Sequence, residues 1–301
     1  MEKGIVYSGK EMFARIAKRW SEYGPPVIIF NKSHSGSRLL AKLIASADVY
    51  LGHDLNDSED AADILRMVRP LVEGHYPHYA SLLRDGDVQL EELIDTVFAY
   101  HLRDIRPGQR WGWKLCETVY ILPILFQIFP DAYYVHLIRD GRDVAFSNHV
   151  APVEPFWRKI FFDTTHINVW NGYRITRKNY RRTPHVFNAR HWVNSVTVGR
   201  HYGSMIGPRY LELRYEDLVT RPETTARDVF DALGMSYQAE TISDFAGSVT
   251  LSSMGKYERQ SWFKRRQALA VLQPALSAFG YQDPSADARS LFLPWGRRTK
   301  N

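Results

Sequence analysis

Cysteine and long apolar runs are what this sequence lacks most clearly. Cys116 is the only cysteine among 301 residues, which excludes an intramolecular disulfide bond and favours a reducing, cytoplasmic location. No stretch approaches the roughly 18 consecutive apolar residues that a membrane-spanning helix needs. The first residues lack the basic region and apolar core of a secretory signal. We therefore expect a cytoplasmic globular protein without a transmembrane segment.

The charged residues favour an anionic ligand rather than a metal. The histidines are scattered, and the acidic stretch 54–63 lacks the glycine and terminal glutamate of a calcium loop. No metal is therefore predicted. In total, 39 Lys and Arg residues against 33 Asp and Glu residues give a formal net charge of +6 and a pI near 9.3. This charge suits an anionic cofactor or substrate, and no motif for nucleic-acid binding accompanies it.

Apolar strands alternate with helices along the chain, without internal repeats. This alternation predicts an α/β fold with a mainly parallel sheet flanked by helices, in a single domain over residues 1–301. Ligands of such sheets bind beyond the carboxyl ends of the strands. Strands are predicted at 27–30, 49–52, 111–115, 133–138 and 210–214. A helical region is predicted to follow the acidic stretch 54–63 and to reach about residue 71. The other helices are predicted at 39–44, 90–103, 120–129, 190–205, 221–233 and 261–279.

The segment after the first strand, residues 33–38 (SHSGSR), is the most informative part of the chain. It lies between a buried strand and a helix that includes Leu39, so unpaired backbone N–H groups and a helix N-terminus meet there. Gly36 permits close approach of a ligand, and the hydroxyl groups of Ser35 and Ser37 are donors. Arg38 adds a permanent positive charge. The segment is typical of a phosphate-binding loop, although an ordinary capped helix begins in the same way.

A second strand, charged turn and helix follow at residues 133–147. Arg139 stands at the end of the strand, in the run Arg-Asp-Gly-Arg-Asp, and Ser147 is predicted two helical turns further on. A run of this kind is most often a salt-bridged surface turn. Two basic or anion-binding strand ends in one α/β chain favour a functional role over that of ordinary surface turns.

The two segments resemble the cofactor motifs of sulfotransferases that use 3′-phosphoadenosine 5′-phosphosulfate (PAPS). The first is similar to the loop that binds the 5′-phosphosulfate. The second is similar to the 3′-phosphate motif, in which a serine follows the first arginine by eight residues, as Ser147 follows Arg139. Residues 111–114 (WGWK) and 214–218 (RYEDL) are further matches in the family's order. The resemblance implies a P-loop-like nucleotide-binding core, and transfer of a sulfuryl group from PAPS to a hydroxyl or amine with release of 3′,5′-adenosine bisphosphate (PAP).

The resemblance also implies roles for individual residues. Lys114 and His34 are predicted to act on the transferring group. His34 stands where the family usually has Lys or Arg. The charge is expected either from Lys32 or Arg38, or from His34 itself if the bound phosphates hold it protonated. Tyr215 is expected near the adenine and Lys256 near the 3′-phosphate. The predicted cofactor-binding residues are Ser35, Gly36, Ser37, Arg38, Leu39, Arg139, Ser147, Tyr215 and Lys256.

The general base is predicted as Asp54, with several alternatives. Many family members place a histidine two residues after the lysine, where this chain has Cys116, and others use a carboxylate after the first loop. Asp54 is preferred because it follows a short predicted strand. The alternatives are His53, Asp57, Glu59, Asp60 and Glu117.

The acceptor stays open between a carbohydrate, a small molecule and a protein tyrosine. Residues 151–186 are rich in aromatic and basic side chains and are predicted as a substrate-side insertion or lid. A P-loop kinase-like phosphotransferase is an alternative, but the chain lacks the G-x-x-x-x-G-K-S/T motif. A non-enzymatic protein that binds anionic glycans or nucleic acid explains the positive charge, but not the two phosphate-type turns.

Overall fold

Four parallel strands form the sheet of the computed structural model, which describes residues 8–76, 78–147, 155–158, 160, 182–250 and 254–281. They are β1 (Val27–Asn31), β2 (Gly112–Lys114), β3 (Tyr133–Ile138) and β4 (Tyr210–Arg214). The strand order is β2-β1-β3-β4. The register pairs Ile29 with Lys114 and Asn31 with Leu137. The carboxyl ends of the strands therefore meet at one edge of the sheet.

Helices cover both faces of this sheet, as the alternation of the sequence predicts. They are α1 (Gly9–Trp20), α2 (Ser37–Ser46), α3 (Ala62–His75), α4 (Ala80–Asp85), α5 (Val88–His101), α6 (Leu122–Ile128), α7 (Gly141–Ala145), α8 (Pro155–Arg158), α9 (Pro184–Gly203), α10 (Tyr215–Thr220), α11 (Pro222–Ala232), α12 (Ala239–Ser248) and α13 (Trp262–Ala278). Short 3₁₀ helices occur at Ser21–Tyr23 and Cys116–Tyr120.

Strand β1 is buried along its whole length and separates two apolar cores. Ile28 and Phe30 pack in the core that contains residues of α1, α3 and α5, whereas Val27 and Ile29 pack with residues of α2 and α11. Burying each of these side chains contributes about 1.5–3 kcal/mol relative to leaving it in water. Because both faces of the strand are covered, its sequence is a continuous apolar run rather than an alternating one.

The α/β fold class predicted from the sequence is confirmed, and β3 and β4 have the predicted bounds. The predicted strand at 49–52 is wrong, because only Tyr50 pairs, in an isolated bridge with Trp111. The helix predicted at 120–129 is found as α6, shortened to Leu122–Ile128, since Pro123 in its first turn favours a helix start there. Helix α1 was not predicted; a capping box of Ser8 and Glu11 begins it.

Most of the predicted insertion at 151–186 lies outside the described residues, so its role as a lid stays a prediction. The part that is described includes Trp157, which is buried. None of the helices in the described ranges is long and apolar enough to span a bilayer.

Candidate active site

The loop after β1 turns at Gly36 immediately before α2. Gly36 has a φ angle of +84°, in the left-handed region that glycine adopts readily. A Cβ atom here would lie 2.2 Å from Cε2 of Tyr215, because the tyrosine ring packs directly on the glycine. His34 also has a positive φ angle, +70°, which costs a residue with a side chain roughly 1–2 kcal/mol. The turn and the close approach of Tyr215 thus both require glycine at position 36.

Several polar groups of this loop are buried and have no hydrogen-bond partner in the described part of the chain. They are Nζ of Lys32 and the Oγ atoms of Ser33 and Ser35. Burial lowers the pKa of the Lys32 ammonium group to about 8. Leaving such groups without partners costs roughly 1–3 kcal/mol each. An anion at the start of α2 fits them, because it accepts from the hydroxyl groups and offsets the ammonium charge.

Side chains of the loop after β3 are held by an ion pair and by hydrogen bonds to other residues of the protein. Arg139 is buried, its Nη2 donates to Oδ2 of Asp143 at 3.1 Å, and its guanidinium group lies 4.6 Å from the ring centroid of Tyr215. Asp143 also accepts from the backbone N–H groups of Gly255 at 2.9 Å and Tyr257 at 3.1 Å. Asp143 therefore ties the segment that carries the neighbouring Lys256 to this loop.

A second carboxylate fixes the same loop from the side of β4. Glu216, in the RYEDL segment, accepts from the backbone N–H of Asp140 and from the hydroxyl group of Tyr281, both at 2.9 Å. Burial raises the pKa of the Glu216 carboxyl group. This pair of contacts gives the RYEDL segment a positioning role that the sequence did not reveal.

Ser147 lies after α7, which ends at Ala145, rather than two turns into a helix as predicted. Asn188 of α9 donates to the backbone carbonyl of Ser147 at 3.2 Å and holds the segment in place. The Ser147 hydroxyl group is buried and has no partner among the described residues. It therefore shares the property of the serine hydroxyl groups in the loop after β1.

A cavity of about 520 Å³ opens between the two loops, a volume typical of small-molecule sites. Its cationic side chains are Arg38, Lys114, Arg139 and Lys256, and its acids are Asp60 and Glu117. Burial and the neighbouring Arg139 lower the pKa of Lys256. The remaining lining residues are Ser33, His34, Gly36, Ser37, Ser58, Cys116, Trp157 and Tyr215. Positive charge thus exceeds negative charge around this cavity.

Lys114 reaches the cavity from the end of β2, where it is paired with a carboxylate. It is 1% exposed, and its Nζ donates to Oδ1 of Asp60 at 2.8 Å and to the carbonyl oxygen of Ser58. Glu117 follows in the 3₁₀ helix and lines the same cavity. Burial and the neighbouring Asp60 carboxylate raise the pKa of Glu117 to about 7. A carboxyl group with this pKa exchanges protons near neutral pH, as a general base requires.

Most of the predicted site residues line the cavity: His34, Gly36, Ser37, Arg38, Lys114, Arg139, Tyr215 and Lys256. Ser35 and Ser147 are buried but are not among its lining residues, and Leu39 packs against the core. Asp54 is not among the lining residues. Its carboxylate pairs with Arg66 at 3.3 Å, and its backbone carbonyl accepts from Ala62 at the start of α3. These two contacts hold Asp54 away from the other predicted site residues.

Besides Glu216, three residues contribute to the site in ways that the sequence did not predict. Asp143 lies four residues after Arg139, a spacing that favours an ion pair at a helix start. Asp60 was one of several candidate bases, but its pairing with Lys114 depends on how the 54–61 loop folds back over β2. For Trp157, the only indication in the sequence was that residues 151–186 are rich in aromatic side chains. No group of three or more His, Cys, Asp or Glu residues that could hold a metal occurs in the described ranges.

A family profile described as "Sulfotransferase family" matches residues 26–239. The chain belongs to the sulfotransferase family. The match runs from the start of β1 to the start of α12, so it includes both loops and Lys114, whereas Lys256 lies beyond it. A comparison with curated proteins found no match.

Several solved sulfotransferase structures are similar to this chain. The sulfotransferase from Alicyclobacillus acidocaldarius is 15% identical, with a TM-score of 0.49 over 87% of this chain and 98% of that one. The sulfotransferase domain of the Synechococcus PCC 7002 olefin synthase is 18% identical, with a TM-score of 0.48 over 86% of this chain and 96% of that domain. A sulfotransferase from Mycobacterium avium is 12% identical, with a TM-score of 0.48 over 89% of this chain and 80% of that chain. The family assignment rests on the sequence match alone.

Proposed function

We propose that this member of the sulfotransferase family transfers a sulfuryl group from PAPS to a hydroxyl or amine group of an acceptor and releases PAP. The observation that carries the proposal is the cavity between the two loops. Four cationic side chains line it, and unpartnered serine hydroxyl groups lie in both of its loops within the described part of the chain. PAPS carries several anionic groups, so a single PAPS molecule contacts both loops.

On the donor side, the loop after β1 is assigned to the 5′-phosphosulfate. Backbone N–H groups at the start of α2 and the hydroxyl groups of Ser35 and Ser37 are the donors, and Lys32 and Arg38 add positive charge. His34 carries no fixed charge in its neutral form, so we assign the charge that the family usually places there to Lys32 and Arg38.

The second loop is assigned to the 3′-phosphate, with Arg139, Ser147 and Lys256 as the binding residues. Arg139 is a charge-assisted donor already oriented by Asp143. Tyr215 packs between Gly36 and the Arg139 guanidinium group, and we infer that it sets the spacing of the two loops and contacts the adenine end.

In the reaction, the acceptor oxygen or nitrogen forms a bond to sulfur while the bond between sulfur and the phosphate oxygen of PAPS breaks. The proton of the acceptor passes to a carboxylate, and the electron pair of the broken bond stays on PAP. We assign the carboxylate to Glu117 in preference to Asp54, because Glu117 lines the cavity and has a pKa of about 7. Lys114 stabilises the charge that develops on the leaving oxygen.

The wall that Trp157 contributes suits a sugar ring or an aryl group, because both pack well on an aromatic face. A carbohydrate or a phenolic acceptor therefore fits the cavity.

The binding half of the proposal is tested by thermal unfolding with PAP, ATP and RNA as separate additions. PAP alone is expected to raise Tm strongly, because a ligand that binds only the folded state stabilises it. An equal or larger shift with ATP would support the phosphotransferase alternative. A shift with RNA alone would support a nucleic-acid-binding protein.

The catalytic half is tested by transfer of labelled sulfate from PAPS to fractionated extracts of the source cell, with and without EDTA. Transfer that survives EDTA is expected. Absence of labelled product in every fraction, with PAP bound, would contradict the proposed reaction.

A further inference from the structure

A second cavity lies at the opposite end of the sheet and measures about 1050 Å³. The residues that precede or begin the strands line it: Pro25 before β1, Arg110 before β2, Tyr133 at the start of β3 and Arg209 before β4. The loops of the candidate active site follow the carboxyl ends of these strands. The two cavities are therefore separate, and we call the second one the amino-end groove.

Two arginines of this groove contact the same aromatic ring. The Cζ atoms of Arg110 and Arg209 lie 5.5 and 5.0 Å from the ring centroid of Tyr133. Nη1 of Arg110 donates to the backbone carbonyl of Leu233 at 2.9 Å, and Nη1 of Arg209 donates to that of Asp131. The ring and the carbonyl groups orient both guanidinium groups before any ligand arrives.

Within the described ranges, neither of these two guanidinium groups pairs with a carboxylate, and their Nε and Nη2 atoms have no acceptor. That edge of arginine binds phosphate, sulfate or carboxylate through two parallel hydrogen bonds. The other arginines of the groove are already paired, Arg103 with Asp104 at 3.5 Å and Arg106 with Asp48. Glu22 is the acid that lines the groove.

We propose that the amino-end groove is a second binding site, which holds a small polyanion through the Nε–Nη2 edges of Arg110 and Arg209. Two like charges on one ring repel each other, and a bound polyanion removes that repulsion. The groove is large enough for a ligand of the size of pyrophosphate or citrate. The site is independent of the proposed sulfuryl transfer, since it shares no residue with the cavity that contains Lys114.

The test is calorimetric titration of pyrophosphate, and separately of citrate, into the wild-type protein and the double variant Arg110→Gln/Arg209→Gln. Both titrations are repeated after addition of excess PAP, so that binding at the candidate active site is recognised as the part that PAP removes. Arg227→Gln is the matched control, because Arg227 is half-exposed on α11 and pairs with Glu223 at 3.6 Å away from the groove. The two probes distinguish a phosphate ligand from a carboxylate ligand.

In the wild type and in the control, we expect at least one probe to bind in the presence of excess PAP, which we call PAP-resistant binding. The affinity of this binding should be about tenfold or more weaker in the double variant. Glu22→Gln removes an acid and is expected to strengthen that binding a few-fold; it reports on the groove even if the double variant does not fold. Equal affinities in the double variant and the control, or no PAP-resistant binding in the wild type, would overturn the proposal. If PAP does not bind, the proposed function is contradicted, but the comparison of the double variant with the Arg227→Gln control still tests the groove.

Discussion

The candidate active site has two halves, which differ in the number of buried polar groups that lack a protein partner in the described part of the chain. The loop half, residues 32–39 and 139–147, contains one amine and three hydroxyl groups that are buried without a partner in the described part of the chain. The carboxylate half consists of Asp60, Lys114 and Glu117, in which the lysine ammonium group and the Asp60 carboxylate neutralise each other at 2.8 Å.

This difference indicates a division of labour. Buried polar groups without protein partners gain most when a ligand supplies the missing hydrogen bonds, so changes in the loop half should act on donor affinity. Lys114 and Asp60 are already paired and oriented and need no rearrangement during the reaction, so changes in the carboxylate half should act on turnover. Each variant below tests one side of this comparison.

The largest effect is expected for Glu117→Gln, which keeps the shape of the side chain and removes the proposed base. Turnover should fall by about 10²- to 10⁴-fold, while PAP affinity changes little. In the wild type, kcat/KM should rise with pH through about 7, because the ionised carboxylate is the active form. That limb of the pH profile should disappear in the variant.

Labelled-sulfate transfer measured from pH 5 to 9 checks this prediction, with Glu223→Gln on the outside of α11 as the control. A Glu117→Gln enzyme with wild-type turnover would remove the carboxylate half from the chemistry. If Asp54→Asn is the variant that loses activity, the base returns to the residue that the sequence favoured.

Lys114→Ala should lower turnover by about 10²-fold or more, because one electrostatic donor to the leaving oxygen is lost. PAP affinity should change much less. Single-turnover rates on PAPS with a working acceptor measure the first effect and calorimetry the second. Lys42→Ala, an exposed lysine on α2, is the control.

The variant also leaves the Asp60 carboxylate without its partner. Lys114→Ala/Asp60→Asn therefore separates loss of charge stabilisation from an unpaired acid. Near-wild-type transfer in the double variant would make Lys114 a structural lysine.

Arg139→Ala should weaken PAP binding about tenfold or more, and Ser147→Ala less. A lost charge-assisted hydrogen bond costs roughly 1.5–3 kcal/mol. Asp143 keeps its bonds to the backbone of Gly255 and Tyr257, so the loop should stay folded in the variant. Calorimetry checks the affinity, with Arg221→Ala on the surface as the control.

Adenosine 5′-phosphate provides the matching ligand comparison for Arg139. It lacks the 3′-phosphate, so its weaker binding should be insensitive to Arg139→Ala. Equal affinity of the wild type for PAP and adenosine 5′-phosphate would contradict the assignment of this loop.

The smallest effect concerns Lys32, whose pKa is about 8 in the folded protein. As pH rises through 8 the buried ammonium group loses its charge, so PAP affinity should fall, on the order of tenfold or less. Over the same range the free energy of unfolding without ligand should rise, because the unfolded chain then binds more protons than the native one. Lys32→Met should remove both dependences.

Titrations of PAP and chemical denaturation at pH 7, 8 and 9.5 measure the two slopes. Identical slopes in Lys32→Met and the wild type would show that Lys32 does not supply charge to the loop half. Arginine side chains in general keep their charge over this range, so they do not produce the dependence.

The sequence predicted the loop half better than the carboxylate half, for a reason visible in the residues. Residues 33–38 follow β1 directly and Arg139 follows β3, so a strand prediction and the parallel register are enough to place them together. Asp60 lies in an irregular loop and Glu117 in a 3₁₀ helix, and the course of both segments depends on packing. The sequence therefore left them among several candidate bases.

Local apolar patterns and contiguous motifs are enough to predict the α/β alternation, the strands β3 and β4, and the family. The pairing of Asp60 with Lys114 across 54 residues of chain, and that of Asp54 with Arg66, became visible in the folded protein alone. It alone also showed that Arg110 and Arg209 share the ring of Tyr133. Such contacts join side chains that are distant in sequence, and their geometry is set by how loops pack against the sheet, which no local pattern records.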